Sequence, residues 1–258
     1  MSEKIEHGKY AFLIDASLCI DCRSCLVACT AEHQVSMNST RIWMKDTGVM
    51  GKFPDLSRYS APFHCMHCDD PSCVSACTVG ALVRNEDGIV VYDAKRCIGC
   101  RYCMYACPFD VPDMDLSEQL PLIVKCDMCE DRLNEGLEPA CAATCLTGAI
   151  QFGERDQMLD WAKQRVANNP KLSNHIFGEK ENGGTATFYV TPVEYEDLRF
   201  PKVDLNSTAY SNRQITHTTP AVAGTAVVAL SGIYLAAKQL NKDKDHESDS
   251  SETTGESD

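Results

Sequence analysis

Aromatic residues are scarce in this chain, making up 7% of its 258 residues. Composition therefore argues against a large, conventionally packed core around the middle of the chain. Basic residues are in deficit too. Lys and Arg number 24 against 37 Asp and Glu, a formal net charge of −13, which makes nucleic acid a poor partner. No signal peptide is read at the start, and this argues against an oxidised, disulfide-stapled scaffold. Nor is there a convincing Ser–His–Asp arrangement, phosphate loop or dinucleotide fingerprint. Hydrolytic and nucleotide-dependent catalysis thus have no visible seat.

What the chain has in abundance is cysteine. There are sixteen, and none falls outside four runs of four. The first run is Cys19, Cys22, Cys25, Cys29; the second Cys65, Cys68, Cys73, Cys77; the third Cys97, Cys100, Cys103, Cys107; the fourth Cys126, Cys129, Cys141, Cys145. Runs this tight do not suit disulfides. The fourth run alone, with two separated pairs, would suit zinc. Three successive cysteines at spacing three suit zinc poorly and an iron–sulfur cubane well, and C-x-x-C-x-x-C-x-x-x-C in the first and third runs is the pattern of bacterial ferredoxins. The reading is therefore four [4Fe–4S] clusters with all sixteen cysteines as iron ligands, a path for electrons rather than a catalytic site.

The spacing also suggests how ligands are shared. Cysteines at i, i+3 and i+6 on a tight loop reach three iron corners, and the fourth points to a neighbouring cluster. The second and third runs are joined by the short stretch 78–96 and are paired on that ground. One cluster takes Cys65, Cys68, Cys73 and Cys107; its partner takes Cys97, Cys100, Cys103 and Cys77. Elimination leaves Cys19, Cys22, Cys25 and Cys145 for one further cluster, and Cys126, Cys129, Cys141 and Cys29 for the last.

The expected fold is α+β, a duplicated bacterial-ferredoxin-like cluster-binding domain plus one C-terminal transmembrane helix. Residues 1–153 form the four-cluster domain, with an insertion at 32–64 that shows little periodicity. Strands are predicted at 10–14 and 148–152, and a hairpin over 81–92 around Asn85-Glu86-Asp87-Gly88. Residues 154–219 are a C-terminal extension and connector. Within them Met158, Leu159, Ala162 and Val166 fall on one helical face, 187–191 reads as a strand, and 200–219 as polar linker.

Residues 220–237 carry no charge. As a helix they span about 27 Å, close to the hydrocarbon thickness of a bilayer. Gly224, Ala229 and Gly232 suit close packing against another membrane helix. Lys238, Lys242 and Lys244 follow the segment, while Arg213 and the more distant Lys202 precede it. The positive-inside bias places the C-terminus in the cytoplasm and the cluster domain outside the inner membrane, which requires folded export with a partner that carries the signal. The 238–258 tail, acidic and rich in Ser and Thr, reads as disordered.

Five stretches carry a resemblance to a known family: L-I-D-A-S-L-C-I-D-C-R-S-C-L-V-A-C at 13–29, C-M-H-C-D-D-P-S-C at 65–73, C-I-G-C-R-Y-C-M-Y-A-C-P-F-D-V-P at 97–112, K-C-D-M-C-E-D-R at 125–132 and E-P-A-C at 138–141. Likeness continues through F-G-E-R-D-Q-M-L at 152–159 and G-G-T at 183–185. The chain resembles the four-cluster iron–sulfur (beta) subunit of respiratory molybdenum or tungsten oxidoreductases and membrane-bound nickel–iron hydrogenases, above all that of membrane-bound formate dehydrogenase. The sequence departs from the family pattern in places. Proline follows only Cys107, as Pro108, while Thr30, Thr78 and Leu146 follow the other runs, and Asp21 stands where glycine is usual.

The resemblance implies an electron-transfer subunit without a catalytic site of its own. It would relay electrons between a molybdopterin or nickel–iron catalytic subunit and a membrane cytochrome b or quinone-reducing subunit in the lipid bilayer. A free polyferredoxin shuttle is the alternative of another class, and the membrane segment argues against it. Arg23, Arg101 and Lys125 beside ligands would raise cluster potentials if buried, and Asp21, Asp69 and Asp127 would lower them. His67, inside C-M-H-C, is read as structural because the cysteines already suffice.

Coordination would supply much of the folding energy. Iron-free protein is therefore expected to be largely unfolded from residue 10 to residue 152, and circular dichroism of apo protein checks this. A native-like spectrum would contradict it.

Overall fold

The apolar run after residue 9 forms β1 (Tyr10–Asp15), buried almost throughout. A strand this apolar needs cover on both faces and neighbours on both edges. The computed structural model, which describes residues 6–36, 38–116 and 122–251, gives it both. After β1 come α1 (Ser24–His33), β2 (Trp43–Asp46), β3 (Met50–Lys52), β4 (Asp55–Ser57), β5 (Ser60–Phe63), α2 (Ser72–Ser75), β6 (Leu82–Arg84) and β7 (Val90–Tyr92). They are followed by α3 (Tyr102–Ala106), β8 (Asp113–Asp115), β9 (Leu122–Val124), α4 (Glu130–Asn134), α5 (Ala140–Ala143), β10 (Ile150–Glu154), α6 (Arg155–Asn168), β11 (Thr187–Val190) and α7 (Thr208–Ser251). Two compact units result, Met1–Ser211 and Asn212–Asp258.

In the first unit β1 is the middle strand of β10-β1-β11. It runs antiparallel to β10, with Phe12 opposite Phe152, and parallel to β11, with Phe12 opposite Thr187. Helix α6 packs across all three strands. Its Met158 and Ala162 are buried and its Leu159 and Val166 pack against the core, so the predicted helical face is the one used. Arg165 ties α6 to the end of β1 through Asp15 Oδ2 at 2.9 Å. The hairpin predicted over 81–92 is β6 and β7, with Val83 opposite Val91.

The structure adds three features that the sequence does not display. The insertion at 32–64 holds two strand pairs: β2 with β5, with Trp43 opposite Phe63, and β3 with β4. A substantial core also exists, and Cys25, Cys29, Cys65, Cys126 and Cys141 are part of it. Phe63, Phe177, Tyr189, Tyr195 and Phe200 meet there, with ring centroids 4.8 Å apart for Phe63–Phe200, 4.9 Å for Tyr189–Phe200 and 5.2 Å for Phe177–Tyr195. Each such pair contributes about 0.5–1.5 kcal/mol beyond area burial. Composition conceals this because a few aromatic residues are concentrated in one place. Lastly, α7 begins at Thr208, inside the stretch read as linker, and continues to Ser251, inside the acidic tail read as disordered. Extending a formed helix costs far less than nucleating one, so the apolar segment carries its polar flanks with it. Residues 252–258 of that tail lie outside the described residues.

In the second unit, Thr218–Lys238 is long and apolar enough to cross a membrane, with a mean hydropathy of 1.7. Val222, Val228, Leu230 and Ile233 along it are all more than 60% exposed.

Gly178 lets the segment before β11 lie against it. Its φ is +98°, and a Cβ there would sit 2.0 Å from the Thr187 carbonyl oxygen. Gly178→Ala is therefore expected to destabilise the folded protein by about 2 kcal/mol or more, through left-handed strain plus backbone overlap. Thermal unfolding of the iron-loaded protein measures this as a lowered Tm.

Candidate metal centres

The four cysteine runs share a backbone device. The residue two places after the first cysteine of each run has a positive φ: 55° at Asp21, 45° at His67, 68° at Gly99 and 60° at Met128. A left-handed residue turns the chain sharply and aims its N–H inward, forming an anion-binding concavity. The Gly99 N–H donates to Cys97 Sγ at 3.4 Å, and the Met128 N–H to Cys126 Sγ at 3.3 Å. Asp21 is now intelligible. It occupies a conformation that favours glycine and costs most L-residues about 1–2 kcal/mol, though Asp tolerates it better than most. In the first and third runs a second left-handed residue, Arg23 (φ 61°) or Arg101 (φ 66°), stands at the start of α1 or α3.

The second and fourth runs end alike. Pro71 precedes α2 and Pro139 precedes α5. Cys73 and Cys141 lie within those helices, and Cys77 and Cys145 follow them. The Ala81 N–H donates to Cys77 Sγ at 3.2 Å, and the Ile150 N–H to Cys145 Sγ at 3.3 Å. Helix α1 packs on α5, and α2 on α3. The first run is thus brought to the fourth, and the second to the third.

The thiols gather accordingly. One small cavity is lined by Cys19, Cys22, Cys25 and Cys145, with Met44 and Pro62 of the insertion closing it. Another is lined by Cys77, Cys97, Cys100 and Cys103. Burial pushes Cys25 up to about 12, helped by negative charge on Cys19, Cys145 and Cys22. Cys103 is pushed up to about 11 by burial, then by Cys100, Cys77 and Cys97. Cys68 is raised by burial and by Cys65, Cys107 and Cys73. Cys141 is raised by burial and by Cys129, Cys29 and Cys25. None of the sixteen is in a disulfide. Four-sulfur sets with inward N–H donors fit [4Fe–4S] clusters, whose iron holds thiolates that burial alone would protonate.

Charges beside the ligands fall into two kinds. Asp21 pairs with Arg58 at 3.1 Å and Arg23 at 3.4 Å, Asp69 with Arg155 at 3.3 Å, and Asp127 with Arg41 at 2.6 Å. Arg23 and Arg101 are exposed. Lys125 is buried, with Nζ donating to the carbonyls of Val90 and Cys126. The His67 ring is buried and accepts the Val90 N–H on Nδ1 at 3.1 Å. Sequence reading missed His33, whose Nε2 lies 3.2 Å from Cys129 Sγ. It also missed Arg41, which with His33 covers the fourth run from the insertion side. Nothing local signals either, since both partners lie far away in sequence.

Residues 57–155 match the family described as the 4Fe–4S dicluster domain. Across most of the chain there is also similarity to the hydrogenase-2 operon protein HybA of Escherichia coli O157:H7, 32% identical, covering 93% of this chain and 87% of that protein. The nitrate-inducible formate dehydrogenase iron–sulfur subunit of Escherichia coli K12 is 36% identical, covering 76% and 75%. The chain belongs to this family of iron–sulfur subunits. The formate dehydrogenase iron–sulfur subunit of Haemophilus influenzae, 32% identical over 90% of the chain, is a further member.

Gly99→Val places a β-branched side chain at φ +68° and is expected to cost about 1–2 kcal/mol. A shift of chelator-driven iron loss to lower chelator concentration reads it out, with the other three runs intact.

Proposed function

We propose that this chain is the electron-transfer subunit of a membrane-bound respiratory oxidoreductase of the formate dehydrogenase type, with no catalytic site of its own. All sixteen cysteines serve as ligands in four centres. The first uses Cys19, Cys22, Cys25 and Cys145; the second Cys126, Cys129, Cys141 and Cys29; the third Cys65, Cys68, Cys73 and Cys107; the fourth Cys97, Cys100, Cys103 and Cys77. Bound there, [4Fe–4S] clusters supply one-electron transfer. The observation that carries the reading is the gathering of thiols from distant runs into four-sulfur sets, each with one sulfur from the partner run. The matching strand pairs, β6 with β7 and β10 with β1, support a duplicated ferredoxin-like architecture.

The sets also support a linear order. Cys29 is influenced by Cys25, Cys126 by Cys65, and Cys73 by Cys103, linking first to second, second to third and third to fourth. Thr208, where α7 begins, shares a hydrogen bond with Ser72 of α2, beside the third centre. The two ends of that order would serve a catalytic subunit and a cytochrome b or quinone-reducing partner. The residues between the centres position and insulate them, and the exclusion of water from buried ligands keeps the path dry.

The equivalent hydrogenase subunit is the second reading, favoured by the longer coverage of the HybA relative, 93% against 76%. Purified complex assayed with formate and with hydrogen decides between them, and about sixteen irons and sixteen sulfides per chain are expected. Cys145→Ser is expected to abolish the same paramagnetic signal as Cys19→Ser, because both feed the first centre; loss of different signals would refute the sharing. For orientation, we place the C-terminus in the cytoplasm. A tag fused after Asp258 should then resist external protease in spheroplasts.

A further inference from the structure

Of the eight charged residues flanking ligands, seven are paired or solvated, Arg96 with Asp93 and Glu130 with Asn85 among them. Asp21, Asp69 and Asp127 each lie within salt-bridge distance of an arginine, and Arg23 and Arg101 face water. Lys125 differs. It is 3% exposed, and no carboxylate among the described residues lies within ion-pair distance of its Nζ. An ammonium has three N–H donors. Two go to the carbonyls of Val90 and Cys126, which leaves the third with no protein acceptor.

His67 has the same unfinished valence. Its Nδ1 accepts the N–H of Val90, so the ring proton sits on Nε2. That Nε2 is buried with no hydrogen-bond partner among the described residues. A buried donor left unpaired costs about 1–3 kcal/mol, so an acceptor is expected at this place. Lys125 and His67 thus grip the C=O and the N–H of one residue, Val90, and each has a spare donor. Lys125 precedes Cys126 of the second centre and lowers Cys73 of the third. His67 lies between Cys65 and Cys68 of the third.

We propose that Lys125 and His67 are redox-positioning residues whose spare N–H groups donate to iron–sulfur acceptors where the second and third centres meet, raising the potentials of these inner centres relative to the outer two. The inference rests on the cluster ligation proposed above. Reduction adds negative charge, and a buried ammonium with no carboxylate in ion-pair contact stabilises that charge far more than exposed arginines do. Hydrogen bonds to cluster sulfur act in the same direction. The inner pair is thereby a place where an electron rests, buffered from solvent, between donor and acceptor.

The test is potentiometric paramagnetic resonance on the intact purified complex carrying Lys125→Met, His67→Leu, Lys125→Arg or Arg101→Met. Lys125→Met is expected to keep its iron and change the reduced-to-oxidised ratio of an inner centre at least tenfold at fixed ambient potential, a shift of about 59 mV for one electron. His67→Leu should shift an inner centre in the same direction. Lys125→Arg should restore the wild-type ratio, and Arg101→Met should change no centre more than twofold. Full iron content with no inner centre moved, or an equal shift of all centres, overturns the proposal. If Lys125→Met sheds iron, His67→Leu decides by the same criterion. Iron loss from both overturns it too, since a tuning group is dispensable for assembly. Failure of the ligation itself would show differently, as wild-type complex lacking iron.

Discussion

Burying a thiol among other thiols raises the energy of its thiolate form. Cys25, Cys29 and Cys73 are each pushed up to about 12 by burial, with neighbouring sulfurs adding to the effect. A chain with no metal ion would hold protons on these sulfurs; iron removes them and turns mutual repulsion into shared coordination. The rest of the first unit is arranged around this exchange. Its short helices begin at left-handed residues or after prolines rather than at side-chain caps. Such helices are too short to be stable alone, so they depend on packing and on the metal that their cysteines hold.

The strand pairing shows how two distant runs are brought together. Strand β7 leads into the third run and β1 into the first. Strand β6 follows the second run and β10 the fourth. Each leading strand lies antiparallel to the strand that follows its partner run. For the second and third runs the two strands form a local hairpin. For the first and fourth runs they come from opposite ends of the cluster-binding region, so the pairing is non-local and carries a larger closure entropy. Strand β11 on the free edge of β1, α6 across the sheet and the aromatic cluster beside it supply the burial that offsets this cost. The residues after 153 therefore help hold the first and fourth runs together.

Much of this was legible in the sequence because cysteine spacing is itself a geometric statement. Three sulfurs at intervals of three on a tight loop leave few chemistries open, and the apolar runs at β1 and at β6–β7 announce strands. The aromatic core was hidden, because composition averages over the chain while Phe63, Phe177, Tyr189, Tyr195 and Phe200 converge only in space. The insertion was hidden for a related reason: β2 is half covered and β5 buried at all four positions, so neither strand shows alternation. His33 and Arg41 reach the fourth run across 96 and 86 residues, and no local pattern encodes such a contact. Helix α7 was visible in its apolar middle and invisible at its ends, where propagation rather than composition decides.

Charge illustrates the same limit most sharply. In sequence, Arg23, Arg101 and Lys125 are equivalent, each one residue from a ligand. In the folded chain, water screens the first two, and only Lys125 remains in a low-dielectric setting. Asp21, Asp69 and Asp127 are likewise equivalent on paper, yet each has acquired an arginine, from as far as Arg155 in the case of Asp69. The chain carries an excess of thirteen negative charges, but an exposed charge more than about 10 Å away is largely screened at ordinary ionic strength. The net excess therefore bears on solubility and encounter. The electrostatics of the buried path are set by whichever charges the fold leaves both unpaired and dry.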